Sequence, residues 1–140
     1  MRPTLFSLTL GGLAAGLIAA CTPEDMPEAG DGRALFVENC AVCHGANAKG
    51  DGPMARAMAK APADLTLIAV RNGGTFPRVD VLSTIDGYTK SDEKLPNMPE
   101  FGALLEGDLV PLDTGDGVMT PTPRKLVAVL EYIESVQQTR

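Results

Sequence analysis

The sequence predicts an all-α domain, a few helices and long loops, with a core too thin to close on its own. Three observations lead there. Leu126, Val129, Leu130, Ile133 and Val136 recur at helical period, and no stretch alternates as a half-buried strand would. Glycine and proline supply 15 and 11 of the 140 residues, high enough for a loop-rich wrapper and below the level of disorder. From Gly32 onward there is no Trp, and the aromatic residues are Phe36, Phe76, Tyr88, Phe101 and Tyr132 alone. A domain of roughly 110 residues has little capacity to bury surface, so an apolar bound group would complete this core.

The chain opens as a leader. A short charged start, Met1-Arg2-Pro3, precedes an apolar run over residues 5–20, the pattern of a secretory signal. The run is shorter than the roughly 20 residues a spanning helix needs. It closes on Leu17-Ile18-Ala19-Ala20-Cys21, which resembles a bacterial lipobox. That resemblance implies cleavage before Cys21 and lipid on its thiol; an ordinary signal peptide is the alternative. Residues 1–20 are then signal peptide, residues 21–31 an acidic, proline-containing tether, and residues 32–140 the domain. Residues 22–31 lack any apolar period and so read as unstructured, with an extended reach of about 33–36 Å.

Asp31 is placed to cap a first helix from Gly32, whose apolar face, through Leu35 and Phe36, leads to Cys40. Pro53 opens a second, short helix over residues 54–60, which ends before Pro62. A third runs over residues 77–85 and stops at Gly87. Thr122 caps the last helix, with Pro123 in its first position.

Within this frame lies Cys40-Ala41-Val42-Cys43-His44. Cys-x-x-Cys-His is the attachment pattern of a c-type haem: two thiols add to the two vinyl groups of one porphyrin, and the imidazole sits beneath the iron. His44 is the only histidine, so it alone can supply the proximal nitrogen. A redox-active disulfide would want a βαβ setting, which is absent. A zinc site needs four ligands, and only a carboxylate could complete the set. The three cysteines are then all assigned, two to haem and Cys21 to lipid. Both assignments belong outside the cytoplasm.

Gly32-x-x-Leu35-Phe36, Cys40-x-x-Cys43-His44-Gly45, Val81-x-x-x-Ile85-x-Gly87, Met98-Pro99-x-Phe101 and Leu130-x-Tyr132-Ile133 together resemble a class I, monohaem cytochrome c. The resemblance implies the small cytochrome c fold, helices and long loops wrapped around one covalent haem c. It implies that the first and last helices cross near Gly32 and Tyr132. It also implies that a backbone carbonyl, that of Pro62, orients the free ring nitrogen of His44.

The sixth iron ligand decides the chemistry, because a thioether opposite histidine raises the reduction potential. Met54 and Met58, close after His44, read as pocket wall. Met98 lies between Pro96 and Pro99, whose fixed backbone presents the side chain from a rigid loop. Met119 is the second choice, brought near by the long link over residues 102–121. Asp113-Thr114-Gly115-Asp116-Gly117 reads as a turn; it lacks the distal glutamate of a calcium-binding hand.

The expected function is one-electron transfer by a single haem, at the periplasmic side of a bacterial membrane and held there by lipid on Cys21. No catalytic constellation accompanies the motif, so an enzyme is not expected. The alternatives are a haem-carrying subunit of a larger oxidase or dehydrogenase, and a haem enzyme or gas sensor with an open sixth site. The chain is acidic, formally −6, and carries no Lys or Arg between Leu95 and Pro123, where Glu100, Glu106, Asp108, Asp113 and Asp116 lie. A redox partner with a basic docking surface is expected, and a nucleic-acid partner is not.

Overall fold

The structure, a computed structural model, describes residues 25–88 and 98–138. The leader, Cys21 and the segment just before Met98 lie outside the described residues. Chain order is α1 (Ala29–Asn39), α2 (Ala41–His44), 3-10 turns at Ala55–Ala57 and Leu65–Leu67, α3 (Ile68–Arg71), α4 (Arg78–Asp86), strands β1 (Leu109–Asp113) and β2 (Met119–Pro123), and α5 (Arg124–Ser135). The domain is mostly helical, as expected.

Helix α1 begins at Ala29, three residues before the expected start. Asp31 is not the cap. Glu28 holds that position, and Asp31, inside the first turn, accepts the Glu28 N–H at 3.0 Å. A carboxylate there satisfies an orphan donor and faces the positive end of the helix dipole. Part of the supposed tether therefore belongs to the domain: Pro27 is buried, and the Asp25 carbonyl accepts from Arg124 Nη1 at 2.7 Å.

Helices α1 and α5 cross at Gly32. A Cβ there would lie 1.8 Å from the Ala128 carbonyl oxygen and 2.9 Å from Tyr132 Cβ. Only glycine lets the two backbones approach so closely. One turn on, the Phe36 and Tyr132 rings meet at a 5.0 Å centroid distance, tilted by 50°, a favourable aromatic geometry.

The stripe Leu126, Val129, Leu130 and Ile133 is buried, and so are Val127 and Ala128. A second layer explains that. Strands β1 and β2 form an antiparallel hairpin in which Leu109 faces Pro123 and Asp113 faces Met119. Its Val110 and Leu112 join the core with α5. No strand is expected here from the sequence, and Pro111, Pro121 and Pro123 interrupt any strand pattern. Proline is excluded only from positions that donate across the ladder. Pro111 faces Pro121, which puts both missing donors on the outer edges and leaves those edges poor templates for strand addition.

The same hairpin corrects the start of α5. Thr122 is a strand residue, its hydroxyl donating to the Thr120 carbonyl, and Pro123 is the cap residue itself. A residue before proline favours extended backbone, which commits Thr122 to β2. The first amide of α5, that of Arg124, is satisfied by the Asp108 carbonyl at 2.8 Å.

The expected helix over residues 54–60 is only the turn Ala55–Ala57. Gly52 and Met54 donate backward to the Cys43 and Val42 carbonyls, so this segment is laid across α2, and a helix so short has little stability of its own. Helix α4 ends at Gly87, whose left-handed φ of 94° closes it as expected. Arg78 at its start forks across Glu131 and Glu134, tying α4 to α5.

Candidate haem site

The attachment motif is built by the end of one helix and a single turn of the next. Cys40 closes α1, its N–H donating to the Phe36 carbonyl at 2.8 Å. The Cys43 and His44 amides then both return to the Cys40 carbonyl, at 3.1 and 2.9 Å. Two thiols and an imidazole are thereby carried by one compact turn, and neither thiol is in a disulfide.

His44 Nδ1 lies 3.1 Å from the Ala63 carbonyl oxygen. A carbonyl only accepts, so Nδ1 carries the proton and Nε2 keeps its lone pair for a metal. The expected carbonyl was that of Pro62, one residue earlier. The Pro62 oxygen instead lies over Gly50, 2.4 Å from where a Cβ would be. The loop between His44 and Pro62 folds back on itself, with Gly50 N donating to His44 O at 2.7 Å.

Two adjoining cavities, of about 260 and 360 Å3, share Cys40, His44, Ala63, Leu65, Thr84 and Met98. The smaller runs inward to Phe36, Val81, Ile85, Val129 and Ile133. The larger opens past Cys43, Met58, Pro62 and Phe101. Their walls are apolar, as a porphyrin requires, with Arg71, Asp80 and Lys60 as charged lining residues.

Met98 is half-buried, packs against the core and lines both cavities with His44. What holds it is the end of α4. Phe101 N and Gly102 N donate to the Ile85 and Asp86 carbonyls at 2.9 and 3.2 Å, acceptors that a terminating helix leaves open. Met119 is 63% exposed on β2 and lines neither cavity. Met58 forms wall, as expected; Met54 is half exposed and does not.

Sequence reasoning missed the wall formed by Leu65 and Ile68. Its signal was Asp64-Leu65-Thr66: Asp64 Oδ1 accepts from Thr66 N at 2.9 Å and Thr66 Oγ1 at 2.6 Å, the local bonding by which Asp starts a turn. The chain end then clamps this wall. Gln137 accepts from Ala69 N and donates to the Leu65 and Ile133 carbonyls.

Burial, and then the neighbouring Cys43, push the Cys40 thiol up to about 11. A redox-active Cys-x-x-Cys needs the opposite shift, so the environment disfavours that alternative. Among the described residues no group of three His, Cys, Asp or Glu is arranged to hold a metal ion. A neutral thioether, by contrast, carries no charge to desolvate. The Asp113 loop is the expected turn: Asp113 Oδ1 accepts from Gly115 N and Gly117 N.

Fold and cavity define a helical protein with an apolar cavity beside a Cys-x-x-Cys-His turn. A family model described as Cytochrome c matches residues 29–109, more than half of the chain, and the chain belongs to that family. Comparison with curated proteins and with solved structures gives no match. The family binds covalent haem c, typically one, and works in haem-based electron transfer, its domain being typically a carrier rather than an enzyme. The unpaired thiols, the apolar cavity and the oriented imidazole fit that group.

Proposed function

We propose that this protein is a one-electron carrier, in which Cys40 and Cys43 would hold the haem through thioether bonds and His44 and Met98 would ligate its iron. The observation that carries the reading is that Met98 and His44 line the same two apolar cavities. When bound, the haem supplies a one-electron couple at its iron. Ala63 fixes the His44 tautomer, and the end of α4 fixes the loop that presents Met98. Phe36, Ile85, Val129 and Ile133 exclude water from the pocket. In place of Met98, Met119 would have to leave an exposed strand position.

The reading extends to the protein's setting. The lipobox-like Leu17-Ile18-Ala19-Ala20-Cys21 supports a lipid on Cys21 and a station at the periplasmic side of a bacterial membrane. Glu100 and Glu106, exposed on the segment that carries Met98 and Phe101, support a redox partner with a basic docking surface.

Spectroscopy tests the ligand assignment. Met98→Ala should abolish the near-infrared thioether-to-iron band, lower the potential and make the reduced protein bind carbon monoxide. Met119→Ala should leave all three unchanged, and the reverse outcome would move the ligand to the hairpin. Cys21→Ser should release soluble protein or block processing. The electron-transfer rate with the native partner should fall as salt rises, and less steeply once Glu100 and Glu106 are neutralised.

A further inference from the structure

The lipid anchor, if Cys21 carries it, leaves little slack. The chain is fastened to the domain from Asp25 onward, by the Arg124 Nη1 bond to the Asp25 carbonyl and by buried Pro27. Only residues 22–24 intervene between Cys21 and that fastening. Fully extended, four residue steps reach at most about 14 Å. The ten-residue tether read from composition would have reached more than twice as far and let the domain tumble.

The fastening point lies at one end of the domain. Arg124 starts α5, and its amide is held by the Asp108 carbonyl next to Leu109 and Pro123, the paired residues at the base of the hairpin. Helix α1 also starts here. Its 11 residues run for about 16 Å before delivering Cys40. The haem-attachment turn is thus at the far end of α1 from the leash.

We infer that the end of the domain formed by Asp25, the start of α5 and the base of the hairpin rests against the membrane surface, holding the haem-attachment turn on the side away from lipid. This rests on the proposed lipid at Cys21. Met26 and Leu109, 41% and 60% exposed, are apolar side chains at that end. Asp25, Glu28, Asp31 and Asp108 stand there against Arg124 and Lys125, so charge does not draw this end to lipid and chain length sets the orientation. A partner would reach the haem from the aqueous side.

The test uses the mature lipidated holoprotein in phosphatidylcholine vesicles, with a spin label at Leu109→Cys or at Met54→Cys, which is half exposed beside α2. A nickel chelate on lipid headgroups should relax the Leu109 label more than the Met54 label, and a soluble nickel complex should do the reverse. High salt should leave this contrast intact. Inserting ten Gly/Ser residues between Pro23 and Glu24 should erase it. A protein that floats with the vesicles yet shows both labels relaxed alike overturns the orientation alone, as does a contrast that survives the insertion. A protein that does not float, with no acyl mass on its N-terminal peptide, overturns the anchor and the orientation together.

Discussion

Helices α1 and α5 share one interface and solve it in opposite ways. Helix α5 carries an unbroken apolar run, Leu126 to Leu130, and buries Leu126, Val127, Ala128, Val129, Leu130, Tyr132 and Ile133. Helix α1 buries only Gly32 and Phe36. The difference lies in what each helix packs against. α5 is sandwiched between α1 on one side and the hairpin on another, so it supplies core in several directions. α1 packs chiefly on α5 among the described residues, and its remaining task is to place Cys40. A helix that carries a site can bury very little of itself provided one close contact fixes where it points.

If that contact fixes where α1 points, Gly32→Ala should be the most damaging small change in the domain. Its methyl would fall inside van der Waals distance of the Ala128 backbone, which cannot move without displacing α5. We expect a loss above the about 1–3 kcal/mol usual for overpacking, read by denaturant unfolding of the holoprotein. An unaffected midpoint would mean that the helices can part cheaply.

Phe36→Ala should come next, at about 3–5 kcal/mol. Phe36 is fully buried, stacks on Tyr132 and lines the inner cavity, so the absorption spectrum should change along with stability. Leu112→Ala sharpens the contrast from the other side. Leu112 is buried in the hairpin and lines neither cavity. We expect about 2–4 kcal/mol with spectrum and potential unchanged; a shifted potential would make the hairpin part of the haem pocket.

The smallest effect belongs to the hairpin turn. The Gly115 and Gly117 amides hold the Asp113 carboxyl below its ordinary value of 3.8. A depressed folded-state value stabilises above the unfolded value, about 3.9, and that contribution is lost as pH falls through the folded one. Asp113→Asn should therefore lower the melting temperature slightly and evenly from about pH 5 upward, with the gap to wild type closing in stronger acid. A gap that widens in acid would reverse the assignment.

The sequence by itself determined the chemistry of the site, because that chemistry is local. Cys40, Cys43 and His44 lie within one helical turn, and covalent attachment needs only their spacing. The stripe of α5 and the glycine stop of α4 were legible for the same reason: helix period and left-handed caps are properties of a few neighbouring residues. Tertiary structure decided what depends on distant backbone. It replaced the Pro62 carbonyl by that of Ala63 and let Asp108 satisfy the start of α5. It admitted strands through three prolines whose missing donors face outward, since a hairpin this short persists only when packed on something. It also brought Met98 to the cavity and left Met119 on the surface. Two methionines in proline-containing segments read alike along a chain; they differ in whether a helix end offers free carbonyls to the segment that follows.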